Sequence, residues 1–138
     1  MRTVWVNGCF DLLHSGHLQL LQYAAQQGDR LVVGIDSDYR IKISKGEQRP
    51  INNQNFRKAI LEMFSLVDKV YVFDTDFQLE QYIKQSEPSV MVVGSEYKGK
   101  NVIGSQFAEK VIFFQKVHGY STTSIIDKIQ SNAKANKK

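Results

Sequence analysis

The sequence predicts an α/β fold, an open parallel sheet of five strands with helices on both faces. Apolar runs of strand length alternate with segments of helical spacing along the whole chain, the order that a parallel sheet with right-handed crossovers requires. One run, Leu31–Ile35, is apolar throughout, as strands buried on both faces tend to be. The polar segments rich in Gly, His, Lys and Ser/Thr follow strands, and open α/β sheets bind ligands at the carboxyl ends of their strands.

The elements follow in order. Thr3–Asn7 is apolar and β-branched and ends at Gly8, a first strand. Ser15 to Gln27 carries Leu18, Leu21, Tyr23, Ala24 and Ala25 at helical spacing, and Gly28 stops it. Leu31–Ile35 is the second strand. Asp36 to Asn53 reads as the longest irregular segment, and long loops in compact domains are often functional. Asn52 or Asn53 caps a helix running to about Leu66, with Ala59, Ile60, Met63 and Phe64 expected inward. Val67–Phe73 is the third strand, Phe77–Gln85 a short helix and Val90–Val93 the fourth strand. Ser95–Ser105 is a second polar loop, Val111–Phe114 the fifth strand and Ser121–Gln130 a closing helix. No internal repeat is visible, and only the Asn/Lys-rich tail is biased in composition. This is a Rossmann-like arrangement.

The 138 residues suit one domain, read as 1–131, with a disordered basic tail over 132–138. Cys9 is the single cysteine, so no intramolecular disulfide can form, which fits a reducing compartment. No stretch approaches the roughly 20 apolar residues of a membrane span. The N-terminus starts directly on a strand-like run, so a chain without a signal peptide is expected, cytoplasmic and without membrane partners. The formal charge is a mild +4, part of it in Lys134, Lys137 and Lys138. A nucleic-acid binder would carry a denser basic stripe; this excess suits small anionic ligands instead.

The run Asn7-Gly8-Cys9-Phe10-Asp11-Leu12-Leu13-His14-Ser15-Gly16-His17 is the most informative. Gly8 and Gly16 let backbone approach a ligand. His14 and His17 stand three apart at a helix start, so both can face one side. A helix N-terminus offers N–H groups and a positive dipole end to phosphate, and phosphoryl transfer needs mainly such positioning and charge stabilisation. Two plainer readings stand beside it. The histidines could be satisfied structural side chains, or two ligands of a zinc site completed by His118, Cys9 or a carboxylate.

Ser121-Thr122-Thr123-Ser124 opens the last helix, as a phosphate seat or a simple N-cap. Lys45 and Arg49 lie in the long segment after the second strand, where flexible cations could fold over a triphosphate or stay solvated. Asp11 and Asp36 could hold Mg²⁺ or its waters, or cap turns. Cys9 reads as small and packed.

His14-Ser15-Gly16-His17 after Gly8-Cys9-Phe10-Asp11 resembles the HxGH signature of the cytidylyltransferase-like nucleotidyltransferases, and Gly119-Tyr120-Ser121-Thr122-Thr123 resembles their second motif. The resemblance runs from about Val4 to Ile129. It implies an enzyme that transfers a nucleoside monophosphate from a nucleoside triphosphate to a phosphorylated sugar or polyol, with Mg²⁺ accompanying the triphosphate. His14, His17 and Lys45 would be catalytic. Gly8, Cys9, Phe10, Asp11, Gly16, Gly94, Glu96, Tyr97, Gly119, Ser121, Thr122 and Thr123 would bind nucleotide. Arg49, Arg57 and Lys116 would meet the acceptor phosphate. No metal-ligating residue is assigned.

Two subgroups compete. Lys45-Gly46-x-x-Arg49-Pro50-x-Asn52, and Gly94-Ser95-Glu96-Tyr97-Lys98 leading to Gly104-Ser105, are similar to the adenylyltransferase domain of heptose-phosphate enzymes. That similarity implies ATP and a heptose 1-phosphate-like acceptor. Glycerol-phosphate cytidylyltransferases share the HxGH helix, and Lys116 stands where they keep an arginine. The larger heptose enzymes also carry a kinase domain, so another protein is expected to make the acceptor phosphate. Family members are commonly dimers, so a homodimer is expected; Trp5 and Phe113-Phe114 could serve an interface or the core. A nucleotide-binding sensor without turnover is the alternative of another class.

Overall fold

The computed structural model describes residues 1–115 and 122–136. Five strands form one sheet: β1 (Thr3–Gly8), β2 (Arg30–Asp36), β3 (Lys69–Phe73), β4 (Val90–Gly94) and β5 (Lys110–Phe114). All neighbours are parallel, in the order β3-β2-β1-β4-β5. Among the described residues five α-helices connect or follow them: α1 (Ser15–Gln26), α2 (Asp38–Lys45), α3 (Gln54–Glu62), α4 (Asp76–Ser86) and α5 (Thr122–Asn136). The expected Rossmann-like class is the one observed, and each strand lies close to its expected bounds.

The sheet buries both faces, which is why its strands are apolar at consecutive positions. Val4, Val6, Leu31, Val33 and Ile35 meet Leu20, Leu21 and Ala24 of α1 and Leu61 of α3. On the other face Trp5, Val32 and Met91 meet Leu79 and Ile83 of α4. Trp5 is fully buried, so it belongs to the core, and its Nε1–H donates to Asn7 Oδ1 at 3.0 Å. The ring lies close against Gly34 of β2, where any Cβ would stand 2.6 Å from it. A side chain at residue 34 would therefore displace the largest core residue.

Local capping sets the helix starts. Ser37, Asn53 and Thr75 each accept a hydrogen bond from the backbone N–H three residues on. Four expectations are corrected. Asp36–Asn53 is not irregular throughout, because α2 occupies Asp38–Lys45. Only Ile41 of α2 is buried, so the helix shows almost no apolar stripe; the Ser37 cap, Asp38 in the first turn and Lys42 and Lys45 in the last hold it instead. In α3 the inward residues are Arg57 and Leu61, while Ala59 is exposed and Met63 is 87% exposed. The helix ends at Glu62, before Phe64, so the apolar residues near Leu66 belong to the turn into β3. Lastly, α5 runs on to Asn136, past the expected end at Gln130.

The order of strands reverses between β1 and β4, which lie side by side with Val4 opposite Val90. Loops leaving β1 and β4 therefore diverge to opposite faces, and a crevice opens above them.

Candidate active site

A cleft of about 730 Å³ occupies that crevice. Gly8, Cys9, Phe10, His14, Gly16 and His17 line it from the β1–α1 side. Asp36, Arg40, Ser44 and Lys45 line it from β2 and α2, Asp74 from the end of β3, and Gly94, Glu96 and Tyr97 from the end of β4.

The two histidines are built into the start of α1. His14 is the N-cap, and its Nδ1 accepts from Gly16 N–H at 3.0 Å. His17 is the third residue of the helix, and its Nδ1 accepts from His14 N–H at 3.2 Å. The pair thus forms a reciprocal capping box, with imidazoles in place of the usual Ser and Glu. A ring nitrogen that accepts an N–H carries no proton, which leaves Nε2 as the donor nitrogen of each ring. Each ring is held as an Nε2–H donor by the helix that it caps. The ring centroids are 4.0 Å apart, and Phe10 lies 5.2 Å from His17. Phe10 is 3% exposed and has a φ of 50°, the left-handed region that a bulky residue seldom occupies. That strained turn folds its ring back over Gly8, where a Cβ would be 3.2 Å away.

Asp11 is fully committed elsewhere. Its two carboxylate oxygens accept from Ile51 N–H and Asn52 N–H, each at 2.8 Å, and Asn52 Nδ2 donates to its carbonyl at 3.1 Å. Of the two readings left open for Asp11, the geometry supports the one that fixes a turn. The Lys45–Asn52 motif is thereby latched to the first motif through its Asn52 end. Arg49 Nε lies 3.9 Å from Asp11, buried and without a hydrogen bond, and Arg49 does not line the cleft.

Arg57 departs most from expectation. It is 1% exposed, and its guanidinium donates to the carbonyls of Asn52 (2.9 Å), Cys9 (2.8 Å) and Asp36 (2.7 Å) and to Asp38 Oδ1 (2.9 Å). These groups belong to three different segments around the cleft. With its donors spent on backbone, Arg57 ties those segments together and does not reach an acceptor phosphate. The signal was its place within α3: a charged residue at the position that must face the sheet.

Lys45 ends α2 at the rim, exposed, with its charge near the Cys9 thiol. Burial and then the Asp36 charge push that thiol's pKa up, so Cys9 is a protonated, packed group. Burial also raises the Asp36 carboxyl, against the pull of Arg40, Arg57 and Lys45. Tyr97 is raised by burial and then by Glu96, Asp36 and Cys9, so its hydroxyl stays protonated. Glu96 folds over Gly94, where the carboxylate occupies the space that a Cβ would take.

Lys116, Gly119 and Ser121, like His118, lie outside the described residues, as do the side chains of Thr122 and Thr123. Sequence reasoning missed Asn7, Arg40 and Asp74 in the lining. A cation four residues after Asp36 was the available signal for Arg40. Among the described residues no three His, Cys, Asp or Glu side chains gather to hold a metal ion. The zinc reading of the histidines therefore finds no third ligand there.

The crevice at the sheet's reversal point, with two imidazoles at a helix start, has the geometry of a site that can position phosphates. A family model described as Cytidylyltransferase-like matches residues 5–128, and the chain belongs to that family. The chain is 46% identical over 127 residues to the bifunctional protein HldE of Campylobacter fetus subsp. fetus (strain 82-40), covering 92% of this chain and 28% of that protein. It is 44% identical over 129 residues to the bifunctional protein HldE of Helicobacter pylori (strain G27), covering 94% and 28%. The chain thus spans less than a third of these relatives. Among solved structures, the lipopolysaccharide core biosynthesis protein from Thermoplasma volcanium GSS1 is similar with a TM-score of 0.66 at 23% identity, over 88% of this chain and 99% of that one. At that identity the likeness concerns the fold.

Proposed function

We propose that the chain transfers AMP from ATP to the phosphate of a sugar 1-phosphate of the heptose type, releasing pyrophosphate. The observation that carries the reading is the histidine capping box, which holds two Nε2–H donors at the mouth of the crevice. The preference for ATP and a sugar rests on the Lys45–Asn52 and Gly94–Ser105 motifs and on the relatives named HldE.

An acceptor phosphate oxygen attacks the α-phosphorus in line, the bond from that phosphorus to the β-phosphate oxygen breaks, and pyrophosphate leaves with its electron pair. His14 and His17 donate to phosphate oxygens as charge shifts onto the leaving group. Lys45 steadies the triphosphate from the rim, and Ser121, Thr122 and Thr123 at the start of α5 are assigned to its β- and γ-phosphates. Gly94 to Tyr97 shape the base and ribose end, and Lys116 serves the acceptor phosphate.

Mg²⁺ fits as a companion of the triphosphate rather than a resident ion. Asp11 is spent on amide hydrogens and no three-ligand cluster exists among the described residues, so phosphate oxygens and water would hold most of its coordination shell. When bound it would neutralise phosphate charge. No described helix is long and apolar enough to cross a membrane; we place the enzyme in the cytoplasm and take a homodimer as its working unit.

Pyrophosphate release with ATP or CTP, each against a heptose 1-phosphate and glycerol 3-phosphate, tests the reading. ATP with the sugar phosphate is expected to be fastest, and ATP with Mg²⁺ is expected to raise the melting temperature more than CTP does. Faster turnover with CTP and glycerol 3-phosphate would reverse the assignment. Lys45→Ala is expected to raise the triphosphate KM and lower kcat while changing stability by under about 0.5 kcal/mol, as suits an exposed rim residue. Unchanged KM and kcat would remove Lys45 from the phosphate site.

A further inference from the structure

We propose that the Asp36 carboxylate accepts hydrogen bonds from hydroxyl groups of the acceptor, making the β2–β3 end of the cleft a subsite for a polyhydroxylated phosphate ester. The inference rests on the cleft being the reaction site described above and adds which end of the acceptor it reads.

The lining brings carboxylates to one end of the cleft. Phosphate-binding donors cluster at His14, His17 and Lys45, whereas the carboxyl ends of β2 and β3 bring two carboxylates, Asp36 and Asp74, to the cleft wall. Arg40, Arg57 and Lys45 act on Asp36 as well, and a polyol suits the carboxylates there, because its O–H groups donate and carboxylates accept.

Asp36 has capacity for such donors. Its side chain is 19% exposed, and its ion-pair partner is Arg40 Nε at 3.4 Å. A carboxylate can take about four hydrogen bonds, and among the described residues no backbone amide donates to the Asp36 side chain, in contrast to Asp11. Burial raises its pKa in spite of three nearby cations.

Arg40 cannot readily leave to serve a phosphate. Its guanidinium donates to Asp76 Oδ1 at 2.7 Å and lies 5.1 Å from the centre of the Phe73 ring. Phe73 and Leu79 complete the lining at this end. The subsite is thus a fixed cation, a partly satisfied carboxylate and an apolar floor, which is the composition of a sugar-reading pocket. A site built to bond a hydroxyl discriminates strongly against a ligand without one, because its own polar groups are then left unpaired.

The test compares the full chain with Asp36→Asn and Asp36→Ala. Calorimetry measures binding of a heptose 1-phosphate, a hexose 1-phosphate and ethyl phosphate without nucleotide, and pyrophosphate release gives KM for acceptor and for ATP. The parent is expected to bind the sugar phosphates at least about 10-fold more tightly than ethyl phosphate. Asp36→Ala should weaken sugar-phosphate binding by about 10- to 100-fold, leave ethyl phosphate unchanged and keep the ATP KM within about twofold.

Stability provides the folding control. The Asp36 carboxyl is raised in the folded protein from an ordinary value of 3.8, so its contribution to stability is present below that value and is lost as pH rises through the folded pKa. Asp36→Asn should therefore melt above the parent at pH 8, with the gain shrinking toward pH 4. Equal weakening of sugar and ethyl phosphates would overturn the inference in favour of a structural role. A raised ATP KM with unchanged acceptor binding would assign Asp36 to the metal–triphosphate, and a parent that does not distinguish the esters would end the proposal. If the parent discriminates but releases no pyrophosphate, the proposed function fails and the subsite stands.

Discussion

His17→Ala is expected to lower kcat for pyrophosphate release by roughly 10²–10³-fold, the usual effect of removing one transition-state hydrogen-bond donor. It should also cost about 0.5–2 kcal/mol of stability, because His14 N–H loses its acceptor at the start of α1. The two effects can be separated. Glutamine at the third helical position also completes a capping box, so His17→Gln should recover most of the lost melting temperature while staying as slow as the alanine variant. Steady-state kinetics with calorimetric melting would measure both. Activity within threefold of the parent in either variant would show that the ring serves the helix and not the phosphates.

Arg57→Ala is expected to give the largest loss of stability, about 3–5 kcal/mol, the range seen when one side of a buried charged pair is removed. The substitution strips hydrogen bonds from the carbonyls of Cys9, Asp36 and Asn52 at once and leaves Asp38 unpaired. Against a typical total of about 5–15 kcal/mol, this is a large fraction. Urea unfolding should show a lower midpoint with little change in slope. Arg57→Lys keeps the charge but loses the planar fork, so it should fall between the alanine variant and the parent. Unaltered stability together with a raised acceptor KM would return Arg57 to the acceptor site.

Both variants concern residues whose type was visible in the sequence and whose employment was not. His14 and His17 were legible as a pair because helical spacing is local: three residues apart at a helix start means one side of one turn. Their tautomer was not legible, since it depends on which backbone N–H meets which ring nitrogen. Arg57 was placed correctly near the loop segments, but sequence alone could not tell a guanidinium facing an anion from one facing three carbonyls. Asp11 was read evenly between metal and turn; Ile51 and Asn52, some forty positions away, decide between them. The helix α2 was missed because it buries a single apolar residue and relies on caps and charges. Arg40, the wall of the subsite, went unnoticed with it.

By itself the sequence determined the α/β class, the approximate extent of every strand, the first helix and the position of the HxGH run at its start. These depend on periodicity and on capping chemistry, which act over a few residues and leave a mark on each. The tertiary structure alone decided the strand order β3-β2-β1-β4-β5, and hence that the ends of β1 and β4 diverge to form the crevice. It also decided which cations and carboxylates face that crevice and which are consumed in holding it. Lys45 and Asp36 line the cleft, whereas Arg57 and Asp11 are bound to backbone. The physical reason is that a charged side chain takes whatever partner the fold brings within about 3 Å, and that partner comes from elsewhere in the chain.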